Sequence, residues 1–398
     1  MSIDGLDVAF WTGRRVFLTG HTGFKGSWAS LWLARMGAEV TGYALAPETE
    51  PNLFALASVG KTVRSHIGDL RDADALRAAV DAADPEIVIH MAAQPLVRRS
   101  YAAPVDTFSV NVMGTVNLLE ALRGRDALRT VLVVTTDKVY ENAEQGVSFR
   151  EEDPLGGHDP YSASKAAAEI VTSSYARSFF AGAGVRVAAA RGGNVIGGGD
   201  FSEDRLVPDI WRALRSGEPL VLRNPSAARP WQHVLDCLSG YFAYARGLTD
   251  NRDLPAALNF GPPPDAAPVT VAALAEAVQA ALGGSGWKPA NDTGPHEMMA
   301  LEIDSRKARA CLGWRDRLAG QSCVAWLADW YCALNDGADM REATCRQIAA
   351  FEALHRTEAG CRPVSLLRQR RSQGLSALSA SAWAISAAGW SASIAGKS

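Results

Sequence analysis

The first half of the chain alternates short apolar segments with longer segments of helix length. This alternation predicts βαβ units, and therefore a parallel sheet covered by helices. Apolar residues at nearly every position are typical of strands that are buried on both faces. The predicted strands are Val16–Thr19, Glu39–Tyr43, Val63–Ile67, Glu86–His90, Val131–Thr135 and Val185–Ala190, and the predicted helices include Ala73–Asp81, Val105–Arg123 and Ser162–Phe180. A ligand is expected at the carboxyl ends of these strands.

Three glycines, Gly20, Gly23 and Gly26, join the first strand to the helix that follows it. The first glycine permits a tight turn, the second lets backbone N–H groups approach a pyrophosphate, and the third lets the helix pack closely on the sheet. Because the triplet stands between a strand and a helix, it predicts a Rossmann-type, doubly wound sheet that binds a dinucleotide.

Tyr161 and Lys165 are four residues apart in a predicted helix, so their side chains share one face. A lysine ammonium at that distance favours phenolate and lowers the phenol pKa toward neutrality. The pair therefore predicts a tyrosine that transfers a proton.

The fifth predicted strand is followed by Thr136, Asp137 and Lys138. Strand ends of such a sheet face the substrate. Thr136 can hydrogen-bond a sugar hydroxyl, Asp137 can act as an acid if burial raises its pKa, and Lys138 can act as a base or as electrostatic support.

After residue 191 the pattern becomes irregular and predicts a smaller, mixed C-terminal lobe that contacts the substrate. A glycine-rich loop at 192–199 is followed by helix-like segments at Leu206–Ser216, Val271–Leu282 and Ser305–Leu312. We therefore expect a dinucleotide-binding domain over 10–195 and a substrate-binding lobe over 196–355 that is interleaved with the sheet. Residues 356–398 are expected to form a low-complexity, disordered tail, with a membrane-surface anchor as the alternative.

Composition excludes several classes of protein. The 40 basic and 43 acidic residues are spread without long blocks and give a net charge of -3, so no nucleic-acid partner is expected. The six cysteines form no C-x-x-C pair, which argues against a zinc site or a disulfide framework. No secretory signal is visible at the N-terminus. We expect a cytoplasmic protein with reduced thiols, no bound metal and no membrane partner.

Several motifs in a fixed order resemble the extended short-chain dehydrogenase/reductase superfamily, and within it the CDP-glucose 4,6-dehydratases. The resemblance covers roughly residues 10 to 355. The motifs are Gly20–Gly26, His90–Gln94, Asn111 before Gly114-Thr115, Thr136–Lys138, Tyr161 with Lys165, Arg191–Asn194 and Arg229–His233.

The resemblance implies an NAD-dependent hydro-lyase that converts CDP-D-glucose to CDP-4-dehydro-6-deoxy-D-glucose. Oxidation at C4, with Tyr161 taking the hydroxyl proton, would precede loss of water from C5 and C6 and return of the hydride to C6. Asp137 would protonate the leaving group. The related dTDP-glucose dehydratases carry a glutamate after the Thr-Asp pair, whereas this chain has Lys138. Lys138 would then be the C5 base, or it would orient Asp137 or the enolate oxygen.

The resemblance also implies which residues bind the ligands. For NAD these are Gly20, Thr22, Gly23, Phe24, Gly26, Asp69, Leu70, Ala92, Ala93, Asn111, Tyr161 and Lys165. For the nucleotide sugar they are Gln94, Asn194, Arg229 and His233, with Arg229 suited to the diphosphate because its guanidinium is fork-shaped. The second strand lacks the acidic residue that usually holds the ribose 2′-hydroxyl, so NAD rests on the resemblance rather than on that position.

Three further expectations accompany the resemblance. The chain is expected to form a homodimer or homotetramer through Val105–Arg123 and Ser162–Phe180. Its pathway would supply deoxysugars for surface polysaccharide. The alternatives are another nucleotide-sugar 4,6-dehydratase or epimerase of the same superfamily, or a nucleotide-binding module without catalysis.

Overall fold

A computed structural model describes residues 4–359 except 145, 251–252, 264, 292–293, 296–297 and 299–300. Within these residues the strands are β1 (Arg15–Thr19), β2 (Glu39–Ala44), β3 (Arg64–Ile67), β4 (Ile87–His90), β5 (Thr130–Thr136), β6 (Ser148–Phe149), β7 (Arg186–Gly192), β8 (Asn194–Ile196), β9 (Leu220–Leu222), β10 (Ala228–Arg229), β11 (Trp231–His233), β12 (Ala257–Phe260), β13 (Val269–Thr270), β14 (Trp287–Pro289) and β15 (Glu302–Ile303).

The same residues form fourteen α-helices and four shorter helical turns. The helices are α1 (Val8–Trp11), α2 (Phe24–Arg35), α3 (Leu53–Leu56), α4 (Ala73–Ala83), α5 (Val97–Ala102), α6 (Pro104–Phe108), α7 (Gly114–Ala121), α8 (Pro160–Tyr175), α9 (Leu206–Ser216), α10 (Val234–Asp250), α11 (Val271–Ala281), α12 (Arg306–Leu312), α13 (Gln321–Asn335) and α14 (Met340–Ala359). Turns of 3₁₀ helix lie at Val59–Lys61 and Asp137–Val139, and turns of π helix at Ser109–Met113 and Ala176–Phe180.

The main sheet is parallel and has the strand order β12-β7-β5-β4-β1-β2-β3. The chain winds outward in one direction from β1 through β2 and β3, and in the other direction from β4 through β5 and β7. The reversal lies between β1 and β4, where Thr19 and His90 are paired in register. A crevice is expected outside the carboxyl ends of the strands at such a reversal.

Successive side chains of the central strands enter two different cores. In β1, Val16 and Leu18 belong to a large cluster with α2 and α10, whereas Phe17 faces the other side, against residues of α4 and α7. Helices therefore cover both faces, and the predicted doubly wound parallel sheet is confirmed. The six predicted strands are present, each with ends displaced by no more than two residues.

Two predicted long helices are interrupted in the structure. The segment 105–123 is divided into α6, a π turn and α7, and α8 continues into a second π turn at Ala176–Phe180. Pro104 begins α6 because its fixed φ and missing N–H suit a first helical turn. The first π turn carries Asn111, and π turns inside helices often mark functional positions.

Several elements of the fold were not found from the sequence pattern, among them α10, α13, α14 and β12. Helix α10 is buried along most of its length, so it lacks the polar face that would have marked it as an amphipathic helix. Strand β12 extends the main sheet beside β7. The described residues up to Thr357 form one compact unit. The division into domains at 10–195 and 196–355 stays a prediction, and the predicted tail lies almost entirely outside the described residues.

No helix among the described residues combines the length and the apolarity needed to span a membrane. Over the same part of the chain, no three His, Cys, Asp or Glu side chains come together as metal ligands.

Candidate active site

A cleft of about 540 Å³ opens at the carboxyl ends of the main sheet. Its volume is in the range of small-molecule sites. The structure brings nearly all the predicted site residues to its walls: Gly20, Thr22, Gly23, Phe24, Gly26, Asp69, Leu70, Ala92, Ala93, Gln94, Thr136, Asp137, Lys138, Tyr161, Lys165, Asn194 and Arg229. Two predicted residues, Asn111 and His233, lie behind the walls.

The loop between β1 and α2 has the close contacts that a phosphate-binding turn requires. Gly20 has a φ of 80°, and a Cβ there would lie 2.7 Å from the backbone nitrogen of Ala92. A Cβ on Gly26 would collide with the carbonyl oxygen of Gly20. Gly23 is the N-cap of α2 and offers no side chain to the first N–H groups of that helix. These groups face the cleft, so the loop fits the pyrophosphate of a dinucleotide.

The far end of the same cleft is lined by Asp69 and Leu70. Arg71 binds the Asp69 carboxylate and lowers its pKa. At the end of β2, the Thr22 hydroxyl donates to the carbonyl oxygen of Leu45 at 2.8 Å. The same cleft is thus lined both by the glycine loop and by Asp69 and Leu70, which the resemblance assigns to NAD.

His90 ties the end of β1 to the π turn. The Thr115 hydroxyl donates to the Asn111 carbonyl oxygen at 2.7 Å, so it accepts from His90 Nε2 at 3.1 Å. Thr19 Oγ1 accepts the N–H groups of Met91 and Ala92 and donates to His90 Nδ1 at 2.7 Å. These partners assign the proton to Nε2. Burial, together with Lys165, lowers the pKa of His90 to about 3, so the imidazole is neutral.

Asn111 acts on the cleft through its neighbours. Its Oδ1 accepts the Gln94 N–H at 2.8 Å, and its Nδ2 donates to the Gln94 carbonyl oxygen and to Ser164 Oγ. Ser164 Oγ in turn donates to the Tyr161 carbonyl oxygen at 2.7 Å. Asn111 therefore connects one wall of the cleft to the helix that carries Tyr161.

Tyr161 and Thr136 both line the cleft, where the Thr136 side chain is close enough to influence the phenol. Burial raises the pKa of Tyr161 to about 12, while Thr136 and Arg205 oppose that rise. This differs from the expectation that Lys165 brings the phenol toward neutrality. The physical reason is that desolvation of the phenolate outweighs the surrounding charges.

Asp137 is a buried carboxyl group, with 1% of its surface exposed. Thr136 Oγ1 donates to Asp137 Oδ1 at 2.9 Å, and within the described residues Oδ2 has no hydrogen-bond partner. Burial raises the pKa of Asp137, opposed by Lys138, Arg229 and Lys25. A carboxyl group in this state can donate a proton at a higher pH than an exposed aspartate can.

Two lysines face each other near this carboxyl group. Lys165 Nζ donates to the Val134 carbonyl oxygen at 2.8 Å, and burial, together with Lys25, lowers the pKa of Lys165 to about 8. Burial also lowers the pKa of Lys25. Lys25 belongs to no motif that predicted a role for it. A lysine in the first turn of a helix opposes the helix dipole, and this is the signal that could have found it.

Arginines line the outer part of the cleft. Arg229, which is 7% exposed, donates to the Ala228 carbonyl oxygen at 2.8 Å. Arg98, Arg205 and Arg223 lie on the same walls, and the sequence analysis did not single them out. Together these guanidinium groups can bind an anion as large as a diphosphate.

His233 is fully buried away from the cleft. Its Nδ1 accepts the Leu235 N–H at 3.2 Å, and its ring packs edge-on against Trp326. Burial lowers the pKa of His233 to about 3. His233 does not line the cleft, and its contact with the nucleotide sugar, which the resemblance implied, stays a prediction.

Comparisons with known proteins agree with this geometry. Residues 16–255 match the model of the family described as "NAD dependent epimerase/dehydratase family". A CDP-glucose 4,6-dehydratase of Salmonella typhimurium is 44% identical over 352 residues, which are 87% of this chain and 98% of that protein.

Two solved structures share the fold. One is a Thermus thermophilus UDP-glucose 4-epimerase in complex with NAD, with a TM-score of 0.68 and 28% identity over 79% of this chain and 97% of that one. The other is a dTDP-glucose 4,6-dehydratase of Streptomyces venezuelae with NAD bound, with a TM-score of 0.69 and 25% identity over 82% of this chain and 99% of that one.

Proposed function

The chain belongs to the NAD-dependent epimerase/dehydratase family, as its motifs predicted, and from that premise we propose that it is a CDP-glucose 4,6-dehydratase. One observation carries the proposal beyond the family. Asp137 places a buried carboxyl group, with a raised pKa and an oxygen without a partner, beside Tyr161 and Thr136. A dehydratase needs an acid that protonates a leaving hydroxyl group, whereas an epimerase does not.

NAD is the cofactor, and when bound it would supply a hydride acceptor for oxidation at C4 of the sugar and a hydride donor for reduction at C6. The glycine loop, Asp69 and Leu70 would hold it, because they line the same cleft. In its phenolate form, Tyr161 Oη takes the proton of the C4 hydroxyl and becomes a neutral phenol. The Thr136 hydroxyl can donate to the phenolate oxygen instead of to Asp137, which stabilises the negative charge that Tyr161 carries before it takes the proton.

Elimination of water follows from the acidity of the C5 proton beside the C4 ketone. Asp137 donates its proton to the C6 hydroxyl, which leaves as water. The C5 proton goes to Lys138 as a neutral amine or, if Lys138 is an ammonium that holds the enolate oxygen, to another base in the cleft. Lys138 lies next to Asp137 and lowers the pKa of that carboxyl group, so proton loss from Asp137 is favoured once the leaving group is in place.

The nucleotide part of the substrate is assigned to the arginine-lined part of the cleft. Arg229 is the residue we propose for the diphosphate, with Gln94 and Asn194 on the sugar side. The choice of CDP over other nucleotides is supported by the 44% identity with the CDP-glucose 4,6-dehydratase of Salmonella typhimurium.

The test incubates the protein with NAD and, in separate reactions, with CDP-, dTDP-, GDP- and UDP-glucose. The 4-keto product is read by its absorbance in alkali. A signal with CDP-glucose alone is the expected result. A signal only with another nucleotide sugar would show that this sugar, and not CDP-glucose, is the substrate. An epimerised product without a 4-keto sugar would favour the epimerase. No product with any of the four sugars would contradict the proposed activity.

We further propose that two copies pair through the helical face formed by α6, α7 and α8. Apolar side chains are exposed there to an unusual degree: Val105 by 82%, Ile170 by 61%, Met113 by 50% and Phe179 by 44%. An exposed apolar patch on a globular protein is typical of an interface. Val105→Glu with Ile170→Glu should lower the mass measured by light scattering to that of a monomer, whereas Val147→Glu, at another exposed valine, should not.

We propose a cytoplasmic location because the cysteine thiols of the described residues are not paired in disulfides. Cys237, Cys311, Cys323, Cys332 and Cys345 are all free in the described residues. Free thiols of this number are typical of a reducing compartment.

A further inference from the structure

Helix α8 is docked on the end of β5 by two side chains one turn apart. Lys165 Nζ donates to the Val134 carbonyl oxygen at 2.8 Å, and the Thr135 hydroxyl donates to Glu169 Oε1 at 2.5 Å. Lys165 and Glu169 are four residues apart, so they project from the same face of the helix. Val134 and Thr135 are consecutive and directly precede Thr136. The two contacts therefore fix the position of α8 along the axis of β5, which we call the register of the helix against the strand.

Glu169 is itself held by an arginine from β7. Arg191 Nε donates to Glu169 Oε1 at 2.9 Å, and Arg191 Nη2 donates to Oε2 at 2.6 Å. The remaining N–H groups of Arg191 include Nη1, which donates to the Tyr140 hydroxyl and to the Glu151 carbonyl oxygen. The Arg191 and Glu169 side chains are 5% and 4% exposed. In a bidentate ion pair of this kind, two parallel hydrogen bonds fix the orientation of the carboxylate relative to the guanidinium.

Neither member of this ion pair lines the cleft. We propose that Glu169, clamped by Arg191, is a positioning residue of the reaction: it sets the register of α8 against β5 and so aligns Tyr161 and Lys165 with Thr136 and Asp137. The inference rests on the proposed function, because alignment of these groups matters to that reaction.

The carboxylate of Glu169 also acts on Lys165 through its charge. Lys165 is faced by Lys25 from α2, by Glu169 from its own helix and by His90 from β4. His90 is neutral above a pH of about 3, so only the two charged groups matter near neutrality. Lys25 lowers the pKa of Lys165 and Glu169 raises it. Loss of the Glu169 charge would leave Lys25 unopposed, and the Lys165 amine would lose its proton at a lower pH.

The first test is Glu169→Gln, which keeps the shape and an oxygen acceptor for Thr135 but removes the charge. The pKa of Lys165 is measured by competitive acetylation at a series of pH values, with the labelled peptide quantified by mass spectrometry. We expect this pKa to fall by about one unit, which is a tenfold change in the ratio of protonated to neutral amine. We also expect kcat to fall by about tenfold with little change in KM, and the pH profile of kcat to move in the same direction as the pKa.

The second test is Thr135→Val, which keeps every charge and removes only the hydroxyl contact. Here kcat should fall by about tenfold while the pKa of Lys165 stays at its wild-type value, because a small misplacement of reacting groups is costly. This variant decides the register argument even if Glu169→Gln does not fold.

Asp316→Asn is the matched control. It breaks another largely buried ion pair, with Arg309, whose members do not line the cleft. It should lower the melting temperature without moving the pKa of Lys165 or the pH profile. The inference is overturned if Glu169→Gln leaves the pKa of Lys165 unchanged, if Thr135→Val keeps full kcat, or if Asp316→Asn moves the profile equally. If the wild-type protein forms no keto sugar, the proposed function fails, and the pKa of Lys165 still decides the charge effect.

Discussion

Thr136 donates its hydroxyl proton to Asp137 Oδ1 at 2.9 Å and leaves Oδ2 of the same carboxyl group buried without a partner. The hydroxyl is also close enough to influence the Tyr161 phenol. One side chain therefore connects the residue proposed for C4 oxidation with the residue proposed for loss of water.

Asp137→Asn is expected to abolish proton donation and to reduce formation of the keto sugar by about 10²- to 10⁴-fold. The same change should alter stability with a definite sign. The pKa of Asp137 is raised in the folded state, so its favourable contribution is lost as pH rises through that value. The melting temperature of the variant relative to wild type should therefore increase as pH rises from below the unfolded aspartate pKa of about 3.9 to above the folded one.

Asp304→Asn serves as the contrast to that stability prediction. Arg306 binds Asp304 and lowers its pKa, so the contribution of Asp304 is present above the unfolded value and is lost only as pH falls through the folded one. This variant should melt below wild type throughout pH 5 to 9. A stability difference for Asp137→Asn that is flat with pH would contradict the assignment of a buried acid.

Tyr161→Phe should abolish turnover while NAD still binds, because the phenol moves a proton and the glycine loop holds the cofactor. We expect kcat to fall by about 10²-fold or more. Keto-sugar formation and calorimetric titration with NAD are the two measurements. Tyr175→Phe, which removes a phenol on the same helix that is bonded to Glu120, should leave both unchanged. Retained turnover in Tyr161→Phe would favour a different base.

Lys25→Met should move the pH dependence of kcat to higher pH. Lys25 lowers the pKa of both Asp137 and Lys165. Without its charge both pKa values should rise, by about one unit or less. The pH profile of kcat between pH 5 and 10 measures the shift. Lys61→Met removes an exposed lysine and should leave the profile in place. An unmoved profile for Lys25→Met would show that its charge does not reach these groups.

His90 should carry its proton on Nε2 and remain neutral at every pH at which the protein is folded. Its Nδ1 accepts from Thr19 and its Nε2 donates to Thr115, while its pKa is lowered to about 3. Nitrogen-15 NMR of the imidazoles reads both properties, with His90→Gln identifying the signal. A titration between pH 5 and 8, or a proton on Nδ1, would contradict the assigned network.

Local patterns predicted the main sheet because its inner strands bury both faces and the connections have helix length; β3, at the edge, is largely exposed. Helix α9 begins and ends where its pattern predicted, since its apolar stripe is strong. Helix α10 was not predicted because it is buried on nearly all sides and so lacks the alternation of apolar and polar faces that marks an amphipathic helix. The same difference holds for the site. The spacing of the motifs predicted roles for Tyr161 and Thr136, whereas Lys25, which lies within the glycine motif, was not predicted.

The sequence by itself determined the class of fold, the dinucleotide loop and the pairing of Tyr161 with Lys165, because each depends on residues that are near one another along the chain. The tertiary structure decided what depends on burial and on distant partners. In the folded protein Asp137 is a buried acid, and desolvation raises the pKa of Tyr161. His233 is buried outside the walls of the cleft, and Glu169 forms an ion pair with Arg191. Desolvation and charge pairing arise only when separate segments are packed together, so no local pattern encodes them.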